Sequence, residues 1–339
     1  MRGGGWSPGG CVSRRQQPLD GVARSCVTSY ALRVMSSRED ISRDATAQRS
    51  HGHKSPQCAS ALAAISLLTD SDHTVVDTCR QQLRKWGESV HAMLLDASQG
   101  CDEVLAQRAG EVLRSVDLDY WLSTVRSYAS GVALEGRMKS PQLEAGALLI
   151  AELDQRGRSD PDKVSAILDG YAADLEPLFA GKSPATCAKI LSDYLARQLG
   201  YGGSKSSFYS VSNIQFHDVV SCRRGVPVTL ALLYILVARR MGLEVTGVSI
   251  PDHFLVRVKD RRPVLIDPYH QGRQVTRNDC VRYLRSAGYS LHTTSYLEDV
   301  PDWEILDCLL RNLLRVYGYR EDHEVCKVLE EARRAFMRG

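Results

Sequence analysis

Apolar residues recur every three to four positions through most of the first half of the chain. Between about residues 58 and 132 this spacing runs through "CASALAAISLLTD", "HTVVDTCRQQLRKWG", "SVHAMLLDAS", "CDEVLAQRAGEVLRSV" and "LDYWLSTVRSYASG". Each stretch predicts a short amphipathic helix. Asp70, Asp72, Ser89 and Asp117 stand where N-caps belong, and Gly87 and Gly131 where helices stop. Paired helices of this length resemble HEAT-type units, although no fixed repeat period is present. Trp86, Tyr120 and Trp121 read as core anchors. A second set of three helices is predicted over "SPQLEAGALLIAELDQRG", "DPDKVSAILDGYAADLEPLFAG" and "SPATCAKILSDYLARQLGYGG". Each opens with a capping residue followed by proline: Ser140–Pro141, Asp160–Pro161 and Ser183–Pro184. Proline suits that first helical position because its N–H would find no partner there anyway.

The helical period breaks between residues 201 and 225, which read as a long loop with one short helical turn near Phe216 to Val220. "VTLALLYILVARRM" is then apolar on nearly every side, so it is expected as a central buried helix. Pro227 starts it, and Gly242 supplies the left-handed residue that ends it. Alternation with period two follows in "LEVTGVSI", "HFLVRVKD" and "RPVLIDP", which predict two or three strands with "KDRR" as a hairpin tip. A hairpin centred near residue 260 places His253 opposite Asp267, within reach of a hydrogen bond. The tail reads as a helical pair joined near "YGYRED". The expected class is α+β: a helical N-terminal region, a core with a small antiparallel sheet, and a C-terminal helical pair.

Composition narrows the function. A formal charge of +3 over 339 residues gives no basic footprint for nucleic acid. The longest apolar run, Val226 to Ala238, falls short of the roughly 20 residues that span a bilayer. The ten cysteines stand singly with no C-x-x-C pair, which favours buried reduced thiols in a cytoplasmic protein over a disulfide framework or a zinc site. Residues 1–57 are rich in Gly, Arg and Ser, and are expected to be a disordered leader or a mis-assigned start with Met35 as the true one.

A helix whose N-terminus faces a His–Asp pair on neighbouring strands is the layout of papain-like and transglutaminase-like cysteine enzymes. The helix dipole and an imidazolium favour a thiolate there, and the carboxylate orients the imidazole. The chain resembles the transglutaminase-like superfamily, in its SirB-type branch, across roughly residues 140 to 335. The resemblance is carried by "EAGALLIAEL", "LGYGG", Asn213 with "DVVSCRRGVPVTLALLYILVARRMGL", "GVSIPDHFLVRV", "IDPYHQGR" and "LLRNLLRVYG". Together with the leader read from composition and the helices read from periodicity, the expected division is a leader at 1–57, HEAT-like helices at 58–132, a SirB-type domain at 140–300 and a helical pair at 301–339.

The resemblance also implies where a nucleophile would stand. In the catalytic superfamily a cysteine lies about fifteen residues before the glycine that ends the helix. Counting back from Gly242 reaches Pro227, and proline has no nucleophilic atom. His253 and Asp267 then read as a remnant dyad. Asn213, Asp218, Arg224 and Gly225 match the family pattern before the helix, and Pro251, Phe254, Pro268 and Gly272 match it around the strands. These eight are expected to shape the cleft. The chain departs from the pattern at Ser204, at "YHQG" and at Asp252, and an acid beside His253 should favour its imidazolium.

The same residues admit other chemistry. Cys222, next to Arg223 and Arg224, is a candidate displaced nucleophile, and Cys280 a lesser one. His253 and Asp267 with His217 or His270 make a metal-type set, but hydrogen-bonded structural roles are preferred and no metal or other cofactor is expected. "HGHK" at 51–54 has ligand-like spacing within the leader. Arginines 223, 224, 239, 240, 257, 261, 262 and 273 offer an anion-binding groove. The expected function is a non-catalytic interaction or regulatory module that takes a protein partner or peptide segment, with a small anionic ligand as the lesser option. The alternatives are a cysteine-type hydrolase or acyltransferase, and a helical scaffold with a purely structural core.

Overall fold

The computed structural model describes residues 56–134, 140–153, 160–204, 210–289 and 294–337. Nearly all of the expected leader, with "HGHK", lies outside the described residues.

Four helices open the described chain: α1 (Pro56–Ser66), α2 (His73–Trp86), α3 (His91–Ser98) and α4 (Glu103–Leu134). Asp72 caps α2 by accepting the Thr74 N–H, and Gly87 ends it at φ +56°, as their positions predict. Ile65, Leu68, Leu83, Leu94, Val112 and Val116 gather into a small core. Two expected boundaries are corrected. The helices predicted on either side of Asp117 are one continuous 32-residue helix, which also runs through Gly131. Asp117 is not a cap, because its carboxylate stands 3.1 Å from the His91 imidazole and the apolar stripe continues beyond it. Ser89 is not one either; its hydroxyl donates to the Trp86 carbonyl within a short 3-10 turn. The second half of α4 enters a larger core through Leu118, Trp121, Leu122 and Val125. There the Trp121 indole donates to the Leu149 carbonyl at 2.8 Å.

The next three helices are α5 (Ser140–Ala151), α6 (Pro161–Phe179) and α7 (Pro184–Ser192). Asp160 and Ser183 accept backbone N–H groups at the starts of α6 and α7, each followed by its proline. The side chains of Ser140 and Pro141 lie outside the described residues. A π-turn, Asp193–Gln198, extends α7 before Gly200 breaks it at φ +80°.

Over its described residues, 201–204 and 210–225, the expected long loop is more ordered than its composition suggests. It holds β1 (Gly202–Gly203), a 3-10 turn at Val211–Asn213, α8 (Phe216–Cys222) and β2 (Arg224–Gly225), with β1 and β2 parallel. Tyr201, Ile214, Phe216 and Val219 are buried, and that burial supplies the order that short-range periodicity does not show.

Helix α9 (Pro227–Arg240) is the axis of the larger core: from Leu230 to Ala238 no side chain retains measurable exposure. Its polar end is tied down by Arg239, which grips both Asp302 oxygens, and by Arg240, which meets Glu144 at 2.7 Å. An antiparallel meander packs on it, in the order β3 (Val245–Ile250), β4 (His253–Val258), β5 (Val264–Asp267) and β6 (Arg273–Val275). Phe254, Val256 and Val258 face the larger core. Val248, Ile250, Leu255 and Leu265 form a third cluster with Cys280 of α10 (Arg277–Ser286). β6 is one strand beyond the expected set.

The hairpin register is also corrected. Val256 faces Ile266, so the hairpin is centred at residue 261 and Asp267 falls level with Leu255. Pro263 has no N–H to give, so pairing resumes only at Val264 and the tip is longer than expected. His253 and Asp267 are therefore diagonal neighbours on one face rather than directly opposed. The C-terminal pair is α11 (Asp302–Tyr319) and α12 (His323–Met337), as predicted. No helix among the described residues is long and apolar enough to cross a membrane.

Candidate functional site

His253 begins β4 immediately after the turn at Pro251–Asp252. Asp252 sits at φ +56°, a conformation that favours glycine and that short polar side chains tolerate. Its carboxylate accepts from Tyr289 at 3.3 Å and lies 3.8 Å from Arg315. The acid that serves His253 is instead Asp267, at the end of β5, with Oδ1 2.9 Å from His253 Nε2. That nitrogen is buried and lacks the alignment of a hydrogen bond. His253 also packs edge-on against the Tyr269 ring, 5.8 Å away.

Asp267 is 6% exposed. Its oxygens accept from the His270 backbone N–H at 3.1 Å and contact His270 Nδ1 at 2.7 Å. Burial pushes its carboxyl pKa up, but the imidazole of His253 close beside it, with the hydrogen bonds of His270, outweighs burial and holds it below the usual carboxylate value. The backbone then turns through buried Pro268 to Gln271 and Gly272, both at positive φ. Glycine is needed at 272, because a Cβ there would meet the Tyr234 hydroxyl at 2.8 Å and Ser192 Cβ at 2.9 Å.

Pro227 occupies the first helical position of α9 and is buried. Ahead of it, the Asn213 carbonyl accepts the Val226 N–H at 2.9 Å, which fixes the entry of the helix. Gly225 is buried against Val219, where a Cβ would approach within 2.9 Å. Arg224 donates to the Gly200 carbonyl, and Arg223 to that of Leu199 at 2.8 Å. Asp218 lies 3.3 Å from His217. The expected arginine groove is not assembled from its better-placed members. Arg223 and Arg224 hold backbone carbonyls, while Arg239, Arg240 and Arg257 pair with Asp302, Glu144 and Asp299.

Pro227 and His253 come together in one cleft of about 400 Å³. Val228, Ser249, Ile250, Pro251, Asp252 and Phe254 line the core side, and Tyr289 and Tyr296 one rim. The opposite wall is α11, through Cys308, Arg311, Asn312 and Arg315. Sequence reasoning did not find that wall, although its residues recur at i, i+3, i+4 and i+7 in "CLLRNLLR", the spacing of one helical face. Cys308 is the thiol on the cleft lining. Burial pushes its pKa up to about 11, against the pull of Arg311. Cys222, at the exposed end of α8, is not among the described lining residues; Cys280 is buried on the face of the sheet that carries His253 and Asp267, outside the described lining, and burial with the charges of Asp279 and Asp267 pushes its pKa up.

Residues 162–311 match the family model described as "Transglutaminase-like superfamily", so this stretch is a transglutaminase-like core. A UPF0162 protein of Xylella fastidiosa is 35% identical over 131 residues, covering 37% of this chain and 47% of the relative. F-box only protein 21 of Mus musculus is 31% identical over 134 residues, covering 37% of this chain and 20% of that protein. A UPF0162 protein of Pseudomonas aeruginosa is 34% identical over 123 residues, covering 36% and 44%. The chain thus spans less than half the length of these curated relatives. No solved structure matches it.

Proposed function

We propose that the transglutaminase-like core, of the SirB-type branch, is a non-catalytic module whose cleft receives a segment of a protein partner. The observation that carries this reading is Pro227 at the head of α9, in the same cleft as His253. A thioester mechanism needs sulfur near that imidazole in its thiolate form. Proline supplies none, and a thiol with a pKa near 11, as at Cys308, is almost entirely protonated at neutral pH. The cleft keeps apolar walls, two arginines and rim tyrosines, which suit an extended peptide with acidic side chains. The likeness to F-box only protein 21 supports a protein partner.

The specific competitor is an enzyme that uses Cys308 or Cys222 with the His253–Asp267 pair. Iodoacetamide labelling at pH 7.5, read by peptide mass spectrometry, separates the two. The non-catalytic reading expects Cys308 to react far more slowly than exposed Cys101, with its rate rising steadily as pH climbs toward 11. Burst labelling of Cys308 or Cys222 at neutral pH, abolished by His253→Ala, overturns it.

A further inference from the structure

We propose that His253, Asp267 and His270 form a binding site for one divalent cation of the zinc class. Their ligand atoms all lie within 4.8 Å of one another. A tetrahedral ion with bonds of about 2.0–2.1 Å needs its ligands roughly 3.3–3.5 Å apart, so small side-chain adjustments suffice.

The second observation is His253 Nε2. The side chain is 10% exposed, and this nitrogen lies 2.9 Å from the carboxylate without an aligned hydrogen bond. A buried nitrogen left in that state costs free energy that coordination would recover. The other two ligands are already organised. Asp267 is fixed by the end of β5, and the His270 backbone N–H donates to its Oδ1, which sets the loop that carries the second imidazole. His270 is 62% exposed, so an ion has a route from solvent. Two imidazoles and one carboxylate favour zinc, cobalt or nickel over magnesium or calcium, which prefer all-oxygen sets. Three protein ligands leave a further position for water or for a carboxylate.

This inference goes beyond the non-catalytic reading and does not depend on it. The test uses the full, reduced chain in a His51→Ala, His53→Ala background, so that the "HGHK" segment adds no site. Zinc is titrated calorimetrically, and cobalt is followed by its d–d absorption. The expected result is one site, weakened roughly tenfold or more by His270→Ala, with cobalt absorption characteristic of nitrogen and oxygen ligands rather than thiolate. Asp267→Asn should weaken it likewise; should that variant not fold, His270→Ala decides alone, since its side chain is exposed. Zinc affinity and stoichiometry unchanged by His270→Ala, or no binding at all, overturns the proposal.

Discussion

Asp307 is 5% exposed and stands between two guanidinium groups, 2.7 Å from Arg333 and 3.0 Å from Arg311. It joins α11 to α12 beneath the wall that lines the cleft. Removing the carboxylate leaves Arg333 without its anion in a partly dry setting, whereas removing half-exposed Arg311 leaves Asp307 still paired. Asp307→Ala is therefore expected to cost about 3–5 kcal/mol and Arg311→Ala no more than about 1 kcal/mol. Urea unfolding of the two variants measures the difference. Equal losses would mean that leaving Arg333 without its anion costs no more than losing the Arg311 pair.

At the level of elements, local chemistry decides some boundaries and tertiary contacts decide others. Thr276 and Asp279 form a reciprocal capping box at the start of α10, the helix that closes the far side of the sheet. Thr276→Ala should lower stability by about 1 kcal/mol, read by denaturant unfolding, with little change in the cleft. Signals of this kind were legible in the sequence. The Asp160–Pro161 and Ser183–Pro184 starts, the apolar axis around Leu232, the strands β3 to β5 and the terminal pair all follow from residue type and period. The continuity of α4 was not legible, because the partner that occupies Asp117 belongs to another helix. Nor were β1, β2 and β6, whose two or three residues carry no alternation. The pairing of His253 with Asp267 was readable from the hairpin, yet its diagonal form depends on where Pro263 interrupts the ladder. The α11 wall needed the helix to be placed before its polar stripe meant anything.

Across the whole molecule, α4 meets α12 along a seam that carries the ion pairs Arg114–Asp322 and Arg126–Glu331, and Arg84 of α2 reaches Glu324 at its edge. Beneath them Tyr128 packs edge-on against Phe336, with ring centroids 6.0 Å apart. The charges are mostly solvated, so each pair contributes about 0–1 kcal/mol, while a buried phenylalanine is worth about 3–5 kcal/mol. Phe336→Ala should therefore destabilise the protein more than Glu324→Ala and Glu331→Ala combined, as measured by thermal unfolding. The reverse order would show that the seam is held by charge. The 32-residue α4 places Val112 and Val116 in one apolar cluster and Leu118 and Trp121 in the other. Both clusters thus hang on a single rigid spine with no slack between residues 116 and 118. A calorimeter should record one endotherm for the two, and a protease should find no early cut at that midpoint.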